Sequence, residues 1–69
     1  METAAIATRY WTGPELALRR RQAALSQSQL AAQLGCTRVL IANIEAQFRP
    51  TGRAAERYLS ALAAAQSAA

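Results

Sequence analysis

The segment with the clearest structural signals is Leu25–Glu45, LSQSQLAAQLGCTRVLIANIE. It predicts two short helices joined by a tight turn. Ser26 can cap the first helix, and Gln29 three residues later completes a capping box. Gly35 stands where a helix needs a left-handed residue to end, which glycine adopts without a Cβ penalty. Thr37 can then cap the second helix.

Apolar residues occur at helical spacing in both segments. Leu30 and Leu34 lie one turn apart on the first helix, and Ile41 and Ile44 point to the same core from the second. Ala31 is small at the position where two steeply crossed helices come close. The stretch therefore predicts a crossed pair of helices with one shared core.

Composition extends this interpretation to the whole chain. It has 69 residues, of which 18 are Ala, and β-branched residues are few and scattered. These features favour one small all-helical domain. The net charge is +4 and all eight basic residues are Arg, whose planar fork binds phosphate and guanine edges. A basic helical domain suits nucleic acid, although a solvated charged surface has the same composition.

The sequence lacks the residues that several kinds of functional site require. There is no His and only one Cys, so we expect no zinc site, no cofactor and no thiol-imidazole enzyme. Cys36 cannot form a disulfide within the chain and fits a reducing cytosol, as a buried inert thiol or, alternatively, a redox sensor. No apolar run is long enough for a membrane span, and the start of the chain has no basic segment of the signal-peptide type. We expect a cytoplasmic, nucleoid-associated protein.

The spacing of the central stretch resembles the Cro/phage-repressor-type helix-turn-helix, also called the XRE family. The pattern is Leu25-Ser26-Gln27-x-x-Leu30-Ala31-x-x-Leu34-Gly35-x-Thr37-x-x-x-Ile41-x-x-Ile44-Glu45. The likeness continues over roughly residues 14–62. It implies a compact all-α fold of four helices, or five with a terminal turn, of the lambda-repressor type. We assign residues 12–62 to this domain, 1–11 to an N-terminal arm or lid, and 63–69 to a helical extension or frayed tail.

The first helix has its own start signal. Thr12 and Glu15 form a T-x-x-E capping box, and Pro14 is tolerated in the first turn. This helix should run to about Ala23. Before it, the aromatic pair at residues 10 and 11 is expected to fold back as an apolar lid, with a DNA-contacting arm as the alternative.

The resemblance also implies a link between helices. Arg20 matches the Arg that in this family pairs with the acid found here as Glu45. A partly buried bidentate pair would tie the second helix of the motif to the first helix of the domain. Arg19, its neighbour, falls where the family usually has an apolar residue.

The second helix of the motif should span about residues 38–46 and act as the recognition helix. Arg38 could grip guanine, Asn43 could pair with adenine, and Val39 or Ala42 could rest on a thymine methyl. Leu40 should sit at the edge of the core. In the family, the positions that approach bases or adjacent phosphates match Thr37, Arg38, Val39, Ala42 and Asn43. Those expected to hold phosphate are Gln27, at a positive helix end, and Arg49.

After the recognition helix the chain departs from the family pattern. Gly is usual where this sequence has Gln47, and also where it has Ala24. Phe48 is expected to plug the core, and Thr51 to cap a fourth helix that starts at Gly52. The inward residues of that helix should be Ala55, Tyr58, Leu59 and Leu62.

The family generally binds palindromic operators as dimers, so double-stranded DNA and a second copy of the chain are the expected partners. Candidate dimer contacts are Tyr10, Trp11, Tyr58 and Leu62, although a Tyr/Leu patch fits a core equally well. We expect a sequence-specific transcriptional regulator, a repressor of the phage, mobile-element or antitoxin type. The alternative is a protein-interaction module, an antitoxin or inhibitor that binds a protein partner through a patch around Val39, Leu40 and Tyr58.

Overall fold

The structure, a computed structural model, describes residues 11–68, without the side chain of the last of these. Within this range it contains four α-helices and no strand. They are α1 (Gly13–Gln22), α2 (Gln27–Leu34), α3 (Arg38–Ala46) and α4 (Gly52–Ala68). The predicted all-α, four-helix fold is therefore confirmed. In the same range, no helix has both the length and the apolar character needed to cross a membrane.

Both predicted capping boxes are formed. Thr12 Oγ1 accepts a hydrogen bond from the Glu15 N–H at 3.2 Å, and Glu15 Oε1 accepts from the Thr12 N–H at 2.9 Å. Ser26 and Gln29 repeat the arrangement at the start of α2, at 3.0 and 2.7 Å. These reciprocal bonds satisfy N–H groups that a helix start leaves without helical partners.

The remaining helix ends follow equally local rules. The hydroxyls of Thr37 and Thr51 cap α3 and α4 by accepting from backbone N–H groups at 3.3 and 3.1 Å. Gly35 ends α2 with φ +80°. Ala24 also has a positive φ of 59°, so the usual family glycine there would fit without the Cβ penalty. Gln47 has an extended backbone with φ −80°, and no glycine is needed at that position.

Tyr58 on α4 occupies the middle of a core to which all four helices contribute. It is fully buried, as are Leu16, Leu30 and Ile41 from α1, α2 and α3. Ala31 is also buried, as its predicted place at a close helix crossing requires. The rest of the buried cluster consists of Ile44, Ala55, Ala61 and Leu62, and the half-buried residues against it include Leu34, Cys36 and Leu59.

The expectation that Phe48 plugs the core is wrong, because its surface is 73% exposed. The Gln47 carbonyl accepts a hydrogen bond from the Gly13 N–H at 2.8 Å, which holds the end of α3 against the start of α1. From this point the chain turns outward at Phe48 and returns to the interior at the buried Pro50.

Two of the candidate dimer contacts also need correction. Tyr58 has no exposed surface and Leu62 is only 6% exposed in the single chain, so neither is presented to a second copy. Trp11 is half-buried and packs against the core, and the Arg19 guanidinium lies 4.7 Å from the centre of its ring. Tyr10 and the rest of the predicted arm at residues 1–10 lie outside the described part of the chain.

Candidate nucleic-acid interface

Helix α3 has one buried and one exposed face. Ile41 and Ile44 are buried, whereas the first turn of the helix is open, with Val39 57% exposed. The predicted base-facing residues all lie outside the core. Thr37, Arg38, Val39 and Asn43 are exposed, and Ala42 is half-buried. The structure therefore brings these residues together on one small surface at the outer side of α3.

At the opposite end of α3, the predicted pair of Arg20 and Glu45 is present. Arg20 Nε donates to Glu45 Oε2 at 2.7 Å, and Arg20 Nη2 donates to Glu45 Oε1 at 3.2 Å. The third guanidinium nitrogen, Nη1, donates to the Leu25 carbonyl at 2.8 Å. Both charged side chains are almost fully buried, with 10% and 7% of their surfaces exposed. The guanidinium thus joins α1, the following turn and α3.

Sequence reasoning missed two further donors to the same carboxylate. Tyr58 Oη lies 2.6 Å from Glu45 Oε2, and Gln27 Nε2 donates to Glu45 Oε1 at 3.0 Å. The tyrosine could have been suspected from its inward helical position, because a buried phenol needs a polar partner. No comparable signal pointed to Gln27, which lies 18 residues before Glu45.

These contacts set the ionisation of the group. Burial acts to raise the pKa of Glu45, but hydrogen bonds from Arg20, Tyr58 and Gln27 oppose it and bring the pKa below its usual value. The hydrogen bond to Glu45 likewise raises the pKa of Arg20. Burial and the nearby carboxylate raise the pKa of the Tyr58 phenol. At neutral pH the cluster therefore holds an ionised pair and a neutral tyrosine.

Gln27 also contacts the exposed end of α3. Its Oε1 accepts a hydrogen bond from Arg38 Nη1 at 3.1 Å, so both ends of the amide have intramolecular partners. The contact to Glu45 uses one of the two N–H groups of Nε2. The backbone N–H groups of this first helical turn also point along the axis, in the direction that suits an anion. Arg49, the other predicted phosphate contact, is exposed in the loop directly after α3.

A glycine completes the support of α3. A Cβ on Gly13 would overlap the backbone of Glu45 and Gln47, which makes this position a close approach between α1 and the end of α3. The sequence showed Gly13 only as part of a helix start, since nothing near it in the chain reveals a partner 34 residues away.

The comparisons with known proteins agree with this geometry. A helix-turn-helix family model matches residues 16–64, which is more than half of the chain. No curated protein and no solved structure matches it significantly. The matched segment contains the α2–α3 pair, the pair of Arg20 and Glu45, and the exposed face of α3. The chain therefore belongs to the Cro/C1-type XRE helix-turn-helix family of DNA-binding transcription regulators.

Proposed function

We propose that this protein is a sequence-specific repressor of the phage, mobile-element or antitoxin type, acting in the cytoplasm on the nucleoid. It occupies a palindromic operator as a homodimer and places α3 in the major groove. The observation that carries the proposal is the division of α3. Its inner face and C-terminal end are held by buried contacts, while Arg38, Val39 and Asn43 are exposed on its outer side.

In this proposal the exposed residues read bases. Arg38 donates two hydrogen bonds to the O6 and N7 atoms of guanine, and Asn43 pairs with adenine. Val39 and the half-buried Ala42 rest on thymine methyl groups, and Thr37 contacts the rim of the groove. Val39, on the first turn of α3, exposes apolar surface to water. Contact with a thymine methyl group would remove that surface from water, which is favourable in free energy.

Phosphate contacts supply the sequence-independent part of the affinity. We assign them to Gln27 in the first turn of α2, through its backbone N–H or the second N–H of its amide, and to Arg49 in the loop after α3. The net charge of +4 adds a long-range attraction for the phosphate backbone. Binding should therefore weaken steeply as the salt concentration rises, because each phosphate that is neutralised releases condensed counterions.

The proposed homodimer needs an exposed contact, since Tyr58 and Leu62 are in the core. Phe48 is the most exposed large apolar residue of the described range, and Leu40, 40% exposed, lines a groove between α3 and α4. We propose these two residues as the dimer contact. Sedimentation velocity at micromolar concentration should show a dimer that Phe48→Ala weakens, whereas Leu18→Ala, at an exposed leucine on α1, should not.

The same exposed residues favour the second candidate function, a module that binds a protein partner. Val39, Leu40 and Phe48 are all open to solvent, and a partner could bury them. On this hypothesis DNA binding is weak and independent of sequence.

Fluorescence anisotropy decides between the two functions. The duplex flanking the gene of this protein is compared with a scrambled duplex at several salt concentrations. A sequence-specific regulator binds the native duplex far more tightly, with a steep salt dependence. Equal and weak binding to both duplexes would contradict the proposal and favour the protein partner.

A further inference from the structure

Each of the four helices contributes one side chain to a cluster centred on the Glu45 carboxylate. Arg20 comes from α1, Gln27 from α2 and Tyr58 from α4, while α3 carries Glu45 itself. The hydrogen bonds continue outward from Gln27 to Arg38. A connected chain of Tyr58, Glu45, Gln27 and Arg38 therefore leads from the middle of the core to the exposed end of α3.

The amide of Gln27 can be placed in this hydrogen-bonded series in only one orientation. An amide has a donating and an accepting end, and the ionised Glu45 can only accept. Nε2 must therefore face Glu45, as it does at 3.0 Å, and Oε1 must face outward. The outward oxygen is an acceptor for the Arg38 guanidinium, at 3.1 Å. If the amide were reversed, its NH₂ group would face the guanidinium, and two donors cannot form a hydrogen bond with each other.

The Tyr58 hydroxyl acts at the inner end of the chain. Its oxygen is 2.6 Å from Glu45 Oε2 and 3.0 Å from the Leu16 carbonyl, and it has a single proton for these two acceptors. The shorter contact to a charged oxygen is the stronger one. Arg20 engages both carboxylate oxygens, through Nε to Oε2 and through Nη2 to Oε1. The hydroxyl adds a second donor at Oε2 and so helps to hold the carboxylate with Oε1 turned toward Gln27.

We propose that Tyr58 is a positioning residue for base reading. Through Glu45 and Gln27, its buried hydroxyl holds the Arg38 guanidinium in one direction and so sharpens discrimination at the base pair that Arg38 contacts. Tyr58 itself is fully buried and touches no DNA. The inference rests on the proposed function for its consequence, but its mechanical part, the ordering of Arg38, can be tested on the free protein.

The test on free protein uses NMR relaxation of the Arg38 side-chain Nε–H group. Tyr58→Phe keeps the ring and removes only the hydroxyl. We expect the order parameter of the Arg38 Nε–H group to fall below its wild-type value. Leu62→Val, a mild core change one turn further along α4, should leave it unchanged. An unchanged Arg38 in Tyr58→Phe, or an equal change in Leu62→Val, would overturn the inference.

A second variant breaks the hydrogen-bonded chain at Gln27, which is half-buried and lies outside the hydrophobic core. Gln27→Met has a similar length but cannot transmit a hydrogen bond from Glu45 to Arg38. We expect it to loosen Arg38 as much as Tyr58→Phe does. If Arg38 keeps its order in Gln27→Met, the proposed route through Gln27 is wrong.

The test on DNA is a double-mutant cycle. Duplexes preferred by the protein are first selected from a random pool, and discrimination is measured at the base pair that depends on Arg38. Tyr58→Phe should reduce it roughly threefold to tenfold. Added to Arg38→Ala, the same change should cause no further loss, whereas independent losses that multiply would overturn the inference. If no duplex is preferred, the proposed function fails, and the relaxation experiment still decides the role of Tyr58.

Discussion

The two ends of α3 are supported in different ways. At the C-terminal end, Glu45 is almost fully buried with four hydrogen bonds from three residues, and the backbone there lies against Gly13. At the N-terminal end, the Thr37 cap and the contact between Arg38 and Gln27 lie at the exposed surface. One end of the helix therefore fixes its position, while the other end is left available for binding. Substitutions at the two ends should accordingly separate stability from recognition.

The largest loss of stability is expected for Glu45→Ala. It would leave the buried Arg20 guanidinium and the Tyr58 hydroxyl without their main partner, and breaking a buried pair in this way costs about 3–5 kcal/mol. Urea unfolding followed by circular dichroism measures the change, and DNA affinity should fall with it. If both the melting temperature and the DNA affinity stayed as in the wild type, the assigned role of the pair would be wrong.

A smaller loss at the same end should come from acid. The pKa of Glu45 is lower in the folded chain than its usual value of 4.5, so the folded state gains stability above that pH. The gain disappears as the pH falls below 4.5 toward the folded pKa. A series of unfolding curves between pH 7 and pH 3 should show this decline. Glu45→Gln should be less stable at pH 7, and its free energy of unfolding should depend less on pH. If the dependence were as steep as in the wild type, a group other than Glu45 would be responsible for it.

Gly13→Ala tests the backbone contact at this end. The added methyl group would force α1 and the end of α3 apart, which costs about 1–3 kcal/mol. Gly52→Ala is the matched control, because a Cβ at Gly52 meets open space at the start of α4. That change should be neutral or stabilise the fold by about 0.5–1 kcal/mol. Thermal unfolding measures both, and equal effects would mean that the close approach at Gly13 is not needed.

At the N-terminal end, Thr37→Ala removes the cap of α3 and should cost about 1 kcal/mol. Thr51→Ala removes the equivalent cap of α4 and should cost a similar amount. The two variants should differ on DNA, since only Thr37 borders the proposed reading surface. Fluorescence anisotropy on a selected duplex measures the affinity of both variants. Equal affinities would show that Thr37 is not part of the reading surface.

Arg38→Ala should have the smallest effect on folding, within about 0.5 kcal/mol, because Arg38 is exposed. Its effect on DNA binding should be large. We expect a loss of roughly 1–3 kcal/mol in affinity for the preferred duplex and relaxed selection at one base pair. A variant that kept full affinity and selection would show that Arg38 does not read a base.

The sequence revealed the features whose signals are local. Ser26 and Gln29, or Thr12 and Glu15, are three residues apart, and their capping boxes could be predicted from spacing alone. The pair of Arg20 and Glu45 spans 25 residues and became visible only through the family register. For Tyr58, the inward position showed only that its hydroxyl needs a polar partner, and the identity of that partner, Glu45, depends on how α4 docks.

Phe48 shows the converse error. Its size and apolar character suggested a core residue, and nothing in its neighbourhood showed that the chain turns outward there. The bond between the Gly13 N–H and the Gln47 carbonyl, which precedes the outward turn of the chain, joins residues from distant parts of the sequence. Packing of this kind is a property of the assembled helices, and periodicity within one helix does not report it.

The convergence of four helices on Glu45 also bears on how such a protein could be given a new target. Within α3, the residues that anchor the helix (Ile41, Ile44 and Glu45) differ from those proposed to read bases, and the first set is largely buried whereas the second is largely exposed. The exposed positions can therefore be exchanged as a set while the scaffold is retained. Gln27 is the exception, because it touches both Glu45 and Arg38. A library for altered specificity should vary Gln27 together with Arg38, so that each new reading residue is paired with a suitable support.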